Sequence, residues 1–188
     1  CPPSPIIPAI DPPLIAPGDR LLEMADNVHG RVKLHPFCRP VVNHELFQRL
    51  ERVRQLGLCH AVFPTASHSR YEHSLGVGHL AGKLMLDIQR GQPILAKHTD
   101  TAITESDIIC VYSAGLLHDV GHPPYSHLFE CVLKDEAKQC RRKLLENEKD
   151  EEKRKYLEKR ASECEEWEHE DVSKKLVAVI WRDLIEAV

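Results

Sequence analysis

The sequence predicts an all-α domain with a small β-hairpin near its N-terminus. Two observations carry that prediction. Residues 43–56, 72–89, 107–118 and 172–188 each place large apolar side chains at helical spacing. Residues 24–35 instead alternate apolar and polar positions, with His29-Gly30 at or near a turn.

Taken in order, residues 1–17 hold seven of the 13 prolines and are expected to be extended. A Pro-rich tail over residues 1–20 therefore precedes one domain over 21–188. In the hairpin, Val32 and Leu34 alternate with charged residues. From Asn43 to Leu56 a helix is expected, with Leu46, Leu50 and Val53 on one face and Gly57 as its stop. From Glu72 to Gln89 a second helix would carry an apolar stripe through Leu75, Leu80, Leu84 and Ile88. Its Gly76, Gly78 and Gly82 weaken a helix but permit close backbone approach. From Asp107 to His118 the run is apolar enough for a central buried helix, with Ser106 or Asp107 available as its cap. Residues 134–170 are mostly charged and suit solvated helix, Glu146 and Asp150 lying near Lys149 and Arg154. Val177, Ile180, Trp181, Leu184 and Ile185 mark a last amphipathic helix.

Composition narrows the function classes. The chain has 188 residues, 29% charged, and a formal net charge of −4. That length suits one domain with a usable core, and no global basicity calls for nucleic acid. No apolar run approaches a membrane span, so no membrane partner is expected. The first residues lack both the basic start of a signal peptide and an initiator Met, as expected of a partial chain. Seven cysteines, an odd number with no C-x-x-C pair, argue against a disulfide framework or zinc ribbon. Cys110, within the apolar helix, is expected to be a small core residue. A reducing compartment, nuclear or cytoplasmic, follows.

Chemistry concentrates at His118-Asp119, which ends the apolar run and leads into Val120-Gly121-His122. A third imidazole, His73, stands forty-five residues earlier. Two histidines and a carboxylate can hold a hard or borderline divalent metal, and Fe, Zn, Mn and Mg all accept such a set. A metal with open positions generates a nucleophilic water at neutral pH. A metal-dependent phosphohydrolase is the expectation. A single histidine would more simply be a hydrogen-bonded core residue; an imidazole and adjacent carboxylate beside an apolar run are costly to bury without a cation.

These residues resemble the HD-domain superfamily. Tyr71-Glu72-His73-Ser74-Leu75-Gly76-Val77 and Gly115-Leu116-Leu117-His118-Asp119-Val120-Gly121-His122-Pro123-Pro124-Tyr125-Ser126-His127 carry the likeness. Within that superfamily, the deoxynucleoside triphosphate (dNTP) triphosphohydrolases bearing a sterile-alpha-motif domain are similar over roughly residues 26–130. Val28-His29-Gly30, Phe47-Gln48-Arg49-Leu50, Arg54-Gln55-Leu56-Gly57 and Val62-Phe63-Pro64 match as ordered blocks. The resemblance implies an HD-type helical fold and hydrolysis of dNTPs to deoxynucleoside and inorganic triphosphate. It implies a metal on His73, His118 and Asp119, and a fourth ligand, an Asp, expected beyond the chain. Asp171 and Asp183 come too early to match it. It implies catalytic His122 and His169, with Glu130 orienting a histidine where the family usually has Asp. It implies substrate contacts at Gln55, Leu56, Arg70 and His127. The interval between Glu130 and His169 is longer than the family's, which implies a charged helical insertion at about 134–166.

In the same family a guanine nucleotide activates at a subunit interface, and a homo-oligomer is implied. The activator positions match Leu22, Asn43, Gln48 and Glu51, of which only Gln48 is retained; Val62 and Phe63 would pack a second nucleotide. Glu51 replaces a cation by an anion beside a polyphosphate, so altered or lost guanine-nucleotide activation is expected. Two rivals stand beside the dNTP substrate. One is another HD phosphohydrolase, acting on a nucleoside monophosphate or other phosphoester. The other is a catalytically weak protein that binds nucleotides or single-stranded nucleic acid.

Overall fold

The computed structural model describes residues 22–91, 102–146 and 149–187. The Pro-rich tail lies outside them. Among the described residues there are seven α-helices and a two-stranded antiparallel sheet, in agreement with the all-α expectation. The chain forms two compact units. One comprises the residues up to Asn43 with Leu75–Leu116, the other His44–Ser74 with Leu117–Val188.

In the first unit, β1 (Leu22–Asp26) and β2 (Gly30–Leu34) pair from Leu22↔Leu34 to Asp26↔Gly30. The Asp26 carboxylate accepts the amides of Val28 at 2.8 Å and His29 at 2.6 Å, an Asx-type turn. Val32 and Leu34 are buried, as the alternation requires. A short helix, α1 (Arg39–Asn43), follows and buries Val41 and Val42.

Helix α3 (Arg70–Gly91) gives all but its first residues to this unit. Its buried line is not the expected stripe. Leu75 and Leu86 are buried, but Leu80 and Leu84 are 50% and 60% exposed. Gly78 and Gly82 complete the buried line because they leave room for α4 (Glu105–Leu117). A Cβ at Gly78 would lie 2.8 Å from Leu116 Cγ, and one at Gly115 would lie 3.0 Å from Gly78 Cα. The expected close approach therefore occurs, and the glycines rather than the leucines line it.

Helix α4 starts earlier than expected and is capped by Thr104, not by Ser106 or Asp107. The Thr104 amide donates to the Asp107 carboxylate at 2.8 Å and the Asp107 amide donates back to Thr104 Oγ1 at 3.2 Å. The helix buries only one face, through Tyr112, Ser113 and Leu116. Cys110, two residues from Tyr112, points to the other side at about 100° per residue. It is exposed, which corrects its assignment to the core. Cys38 is the buried thiol here, 3.8 Å from Ser113 Oγ. Burial pushes its pKa up to about 11 despite the Ser113 contact.

That burial sorts the cysteines by reactivity. Iodoacetamide at neutral pH is expected to label Cys59, Cys110 and Cys131 first, leaving the buried Cys38, Cys140 and Cys164 unmodified until the chain unfolds. Peptide mass spectrometry reads the order; labelling of Cys38 in the native chain as fast as Cys110 would refute it. The raised Cys38 pKa also makes folding less favourable as pH climbs from about 9 to about 11, because the unfolded thiol then releases a proton that the folded one keeps.

In the second unit, the single helix expected over Asn43–Leu56 is broken. His44 is extended, and its Nδ1 accepts the Leu46 amide at 3.2 Å, starting α2 (Glu45–Gln48) anew. A 3-10 turn, Arg49–Arg52, follows, and Val53 is extended. The Val53 carbonyl accepts the Arg70 amide at 2.8 Å, and Arg54 pairs with Ser69. These links close a loop whose end starts α3, so the helix stops before Gly57. Phe47, Leu50 and Val53 are its buried residues; Leu46 is only partly buried.

The charged stretch is helical. Helix α5 (His127–Leu145) and α6 (Glu151–Glu165) pack through Cys140, Leu157 and Ala161, with Leu144 beside them. Arg160–Glu136 at 2.8 Å and Arg141–Glu165 at 2.7 Å tie the pair. Asp150 caps α6, accepting the amides of Glu152 and Lys153; Arg154 lies 3.9 Å from Glu158. Helix α7 (His169–Glu186) buries Ser173 and Ile180 and leaves Ile185, expected on its apolar face, 73% exposed.

Candidate metal centre and histidine cluster

Four segments of the second unit bring the candidate residues together: the first turn of α3, the turn after α4, the start of α5 and the start of α7. Asp119 is the hub and is 4% exposed. Arg70 Nη1 donates to its Oδ2, and His73 Nε2 lies 3.5 Å from the same oxygen. His118 Nε2 and His122 Nε2 each lie 3.3 Å from Oδ1. Burial alone would raise the Asp119 pKa. Hydrogen bonds from His118 and His122, with the charges of His118 and Arg70, more than offset it and hold the carboxyl well below its usual range.

The rings of His73 and His118 meet edge-on at 5.2 Å. One donor atom from each of His73, His118 and Asp119 falls within 4.8 Å of the others. Burial, followed by the neighbouring charges of His118, Arg70 and His68, lowers the His73 pKa against the pull of Asp119. Its imidazole is thus neutral at pH 7, as a metal ligand must be. Two imidazoles and one ionised carboxylate at this spacing fit a divalent cation.

A second set of histidines adjoins the hub. His122 stacks on His169 with ring centroids 3.7 Å apart, and the His127 ring stands edge-on 5.0 Å from His122. Glu130 joins them: its Oε1 lies 2.8 Å from His169 Nδ1 and its Oε2 3.5 Å from His127 Nδ1. Burial raises the Glu130 pKa, but the His169 and His127 contacts pull it below the usual value. The longer glutamate thus reaches both histidines. His122 Nδ1 is buried without a hydrogen-bond partner among the described residues. Asp119–His122–His169 and His127–Glu130–His169 are also close enough to share an ion.

Arg70, matched above to a phosphate contact, is buried. Its Nε donates to Ser126 Oγ at 2.9 Å and its Nη2 lies 3.5 Å from the Gln55 carbonyl. Gln55 meets it through the backbone, and Leu56 is 47% exposed. The Gln48 side chain hydrogen-bonds the Tyr71 hydroxyl. Val62 and Phe63 are 74% and 64% exposed, and Glu51 is exposed. Asn43 is exposed in the first unit. Asp183 faces His44 at 3.4 Å and Asp171 faces Lys174 at 2.7 Å, so neither reaches the hub.

Several positioning residues escaped the sequence analysis. Arg49 donates to the carbonyls of Val120 and His122, at 2.5 and 2.9 Å, and clamps the turn. Ser173 Oγ donates to the His118 carbonyl and accepts the Gly121 amide, both at 2.9 Å. Ser126 Oγ accepts from Arg70 and donates to the Arg54 carbonyl at 2.8 Å. Tyr125 and Ser126 hold φ of 67° and 54°, a backbone cost that marks a constrained turn. Only Ser173 left a readable trace, since it stands one helical turn after His169 on the same face.

Residues 70–183 match the model of the HD domain, and that span contains every member of the hub and of the histidine cluster. The chain belongs to the HD-domain family. HD-family relatives at substantial identity include the deoxynucleoside triphosphate triphosphohydrolase SAMHD1 of Bos taurus, 46% identical over 112 residues, 60% of this chain and 18% of the relative. The SAMHD1 of Gallus gallus is 49% identical over 105 residues, 56% of this chain and 16% of that protein. The SAMHD1 homologue of Dictyostelium discoideum is 46% identical over 105 residues, 56% of this chain and 19% of the homologue. The chain spans under a fifth of the length of each of these relatives. No helix among the described residues is long and apolar enough to cross a membrane.

Proposed function

We propose that this HD domain hydrolyses deoxynucleoside triphosphates to deoxynucleoside and inorganic triphosphate. The observation that carries this is one buried, ionised carboxylate, Asp119, joining a three-donor metal group to a separate histidine cluster. His73, His118 and Asp119 would hold the cation. A divalent cation there supplies Lewis acidity and activates water. The chain's own residues do the rest. Arg70 fixes the Asp119 carboxylate and neutralises part of its charge. His127 stands where a polyphosphate adjoining the hub would meet it, and His122, its Nε2 facing Asp119, keeps a buried Nδ1 with no partner among the described residues that can accept a proton. Glu130 orients His169 and His127 through their Nδ1 atoms, which leaves the Nε2 of each ring for other partners. Gln55 and Leu56 would border the sugar. Fe, Zn, Mn and Mg all suit the donor set.

Activation by a guanine nucleotide is proposed to be altered or lost, because Glu51 places an anion where a polyphosphate would lie. A homo-oligomer and a nuclear or cytoplasmic location complete the proposal.

The test incubates the chain with dATP, dGTP, dCTP and dTTP in Mn²⁺ or Mg²⁺, with and without GTP, and measures released triphosphate beside an Asp119→Ala control. Triphosphate that disappears in the control and is indifferent to GTP is the expected result. Folded, metal-loaded protein that releases none would overturn the reaction; strict dependence on GTP would overturn the Glu51 argument alone.

A further inference from the structure

The cluster at the starts of α5 and α7 holds more carboxylate than its hydrogen bonds can use. Two carboxylates converge on one nitrogen: Glu130 Oε1 lies 2.8 Å from His169 Nδ1, and Glu170 Oε2 lies 3.2 Å from the same atom. A ring nitrogen carries at most one hydrogen, so it serves only one of the two well. The other Glu130 oxygen, Oε2, meets a second ring, His127 Nδ1, at 3.5 Å, longer than an ordinary hydrogen bond. Neither Glu130 nor Glu170 forms an ion pair with a lysine or arginine among the described residues. The N-termini of α5 and α7 add about half a positive charge each, which still leaves the two carboxylates in excess. A dication at this point serves both carboxylates at once and removes that excess.

The spacings suit such an ion. Zinc holds imidazole nitrogen at about 2.0–2.1 Å and carboxylate oxygen at about 2.0–2.2 Å, so neighbouring ligands of a tetrahedral ion stand roughly 3.3–3.6 Å apart. The Glu170–His169 and Glu130–His127 contacts, at 3.2 and 3.5 Å, are already close to that spacing. The Glu130–His169 contact opens by about 0.5 Å when the ion takes the place of the shared proton. One donor atom from each of His127, Glu130 and His169 lies within 4.8 Å of the others. The side chains of His169 and Glu130 are 13% and 19% exposed and hold their donors in place, whereas those of His127 and Glu170, 65% and 58% exposed, open the group to an ion from solvent. We propose that His127, Glu130, His169 and Glu170 form a second divalent-cation site, separate from the hub, that takes zinc and ties the start of α5 to the start of α7. Two imidazoles beside two carboxylates favour zinc over magnesium, which prefers an all-oxygen shell.

The probe is Zn²⁺, titrated into the chain carrying His118→Ala, which removes a hub ligand, with ¹⁵N-labelled histidine rings; Mg²⁺ at the same concentrations is the control. One Zn²⁺ per chain is expected to bind, with half-saturation at about 1–10 μM. At saturation the Nδ1 resonances of His127 and His169 are expected at metal-bound positions, with the remaining ring proton on Nε2. His127→Gln and Glu170→Gln replace exposed side chains and leave the fold intact, and each is expected to weaken binding by at least the roughly 10–100-fold that follows loss of an outer partner. The readout is ion binding and not triphosphate release, so a negative result leaves the proposed reaction standing. A folded His118→Ala chain with no saturable site, Mg²⁺ bound as tightly as Zn²⁺, metal-bound resonances confined to other histidines, or unchanged affinity in the folded His127→Gln variant would each overturn the second site.

Discussion

Replacing Asp119 by asparagine is expected to lower the stability of the chain by about 3–5 kcal/mol and to abolish metal retention. The amide keeps the shape of the side chain but removes its charge. Arg70 is then a buried guanidinium with no counter-ion, and breaking one side of a buried pair is among the more costly single changes. The amide also keeps only one acceptor oxygen: with it turned to Arg70, its NH2 group meets His118 and His122, which both approach an acceptor at 3.3 Å. With a urea slope of about 1–3 kcal/mol per molar, the midpoint is expected to fall by roughly 1–5 M.

Arg70→Met in the Asp119→Asn background separates the two contributions. Removing both charges leaves no uncompensated ion, so the double variant is expected to be more stable than Asp119→Asn alone. Metal content, read by elemental analysis after dialysis, is expected to stay low in both. A stable Asp119→Asn variant would show that Arg70 does not depend on this carboxylate. A variant that keeps its metal would remove Asp119 from the ligand set.

Sequence made the site easier to see than the fold around it. His73, His118 and Asp119 carry chemistry in their identity, and their spacing places them at helix ends, where side chains from different helices converge. The partner of Arg70 was not legible, because a guanidinium matched to a phosphate contact can as readily bond a carboxylate across the turn, and only packing decides. The break at His44 was hidden because its extended backbone is stabilised by its own ring capping Leu46, inside a pattern with helical period. The apolar stripe expected along α3 does not match its buried line, which runs through the close-approach glycines Gly78 and Gly82 rather than through Leu80 and Leu84. Where Tyr112 and Leu116 press against Gly78 and Gly82, the buried face of α3 is marked by missing side chains. Cys110 failed for a related reason: an apolar run on a helix with one buried face puts part of itself in solvent.

Gly121→Ala tests whether the turn after His118-Asp119 is held by packing against α7. An added methyl would lie 2.7 Å from Ser173 Oγ and would also meet the Ser173 amide and the His169 carbonyl. Gly121 has no positive φ, so elsewhere in a chain the same substitution would stabilise by about 0.4–1 kcal/mol through the unfolded state. Here the neighbours are largely backbone and cannot swing away, so overpacking of about 1–3 kcal/mol wins and the melting temperature falls by several degrees. The first turn of α7 must shift, and His169 moves with it, away from His122 and Glu130. A displacement near 1 Å in a catalytic group can cost about 100-fold in rate, so the proposed triphosphate release is expected to fall by more than the stability loss explains. Ser173→Ala supplies the comparison: it removes the hydroxyl that bridges Gly121 and the His118 carbonyl, costing about 1–3 kcal/mol, without crowding His169. Because the backbone contacts remain, Ser173→Ala is not expected to rescue Gly121→Ala. Rescue in the double variant would place the strain on the serine hydroxyl alone, and a Gly121→Ala chain as stable as the parent would show that the turn and α7 are not held in register by this contact.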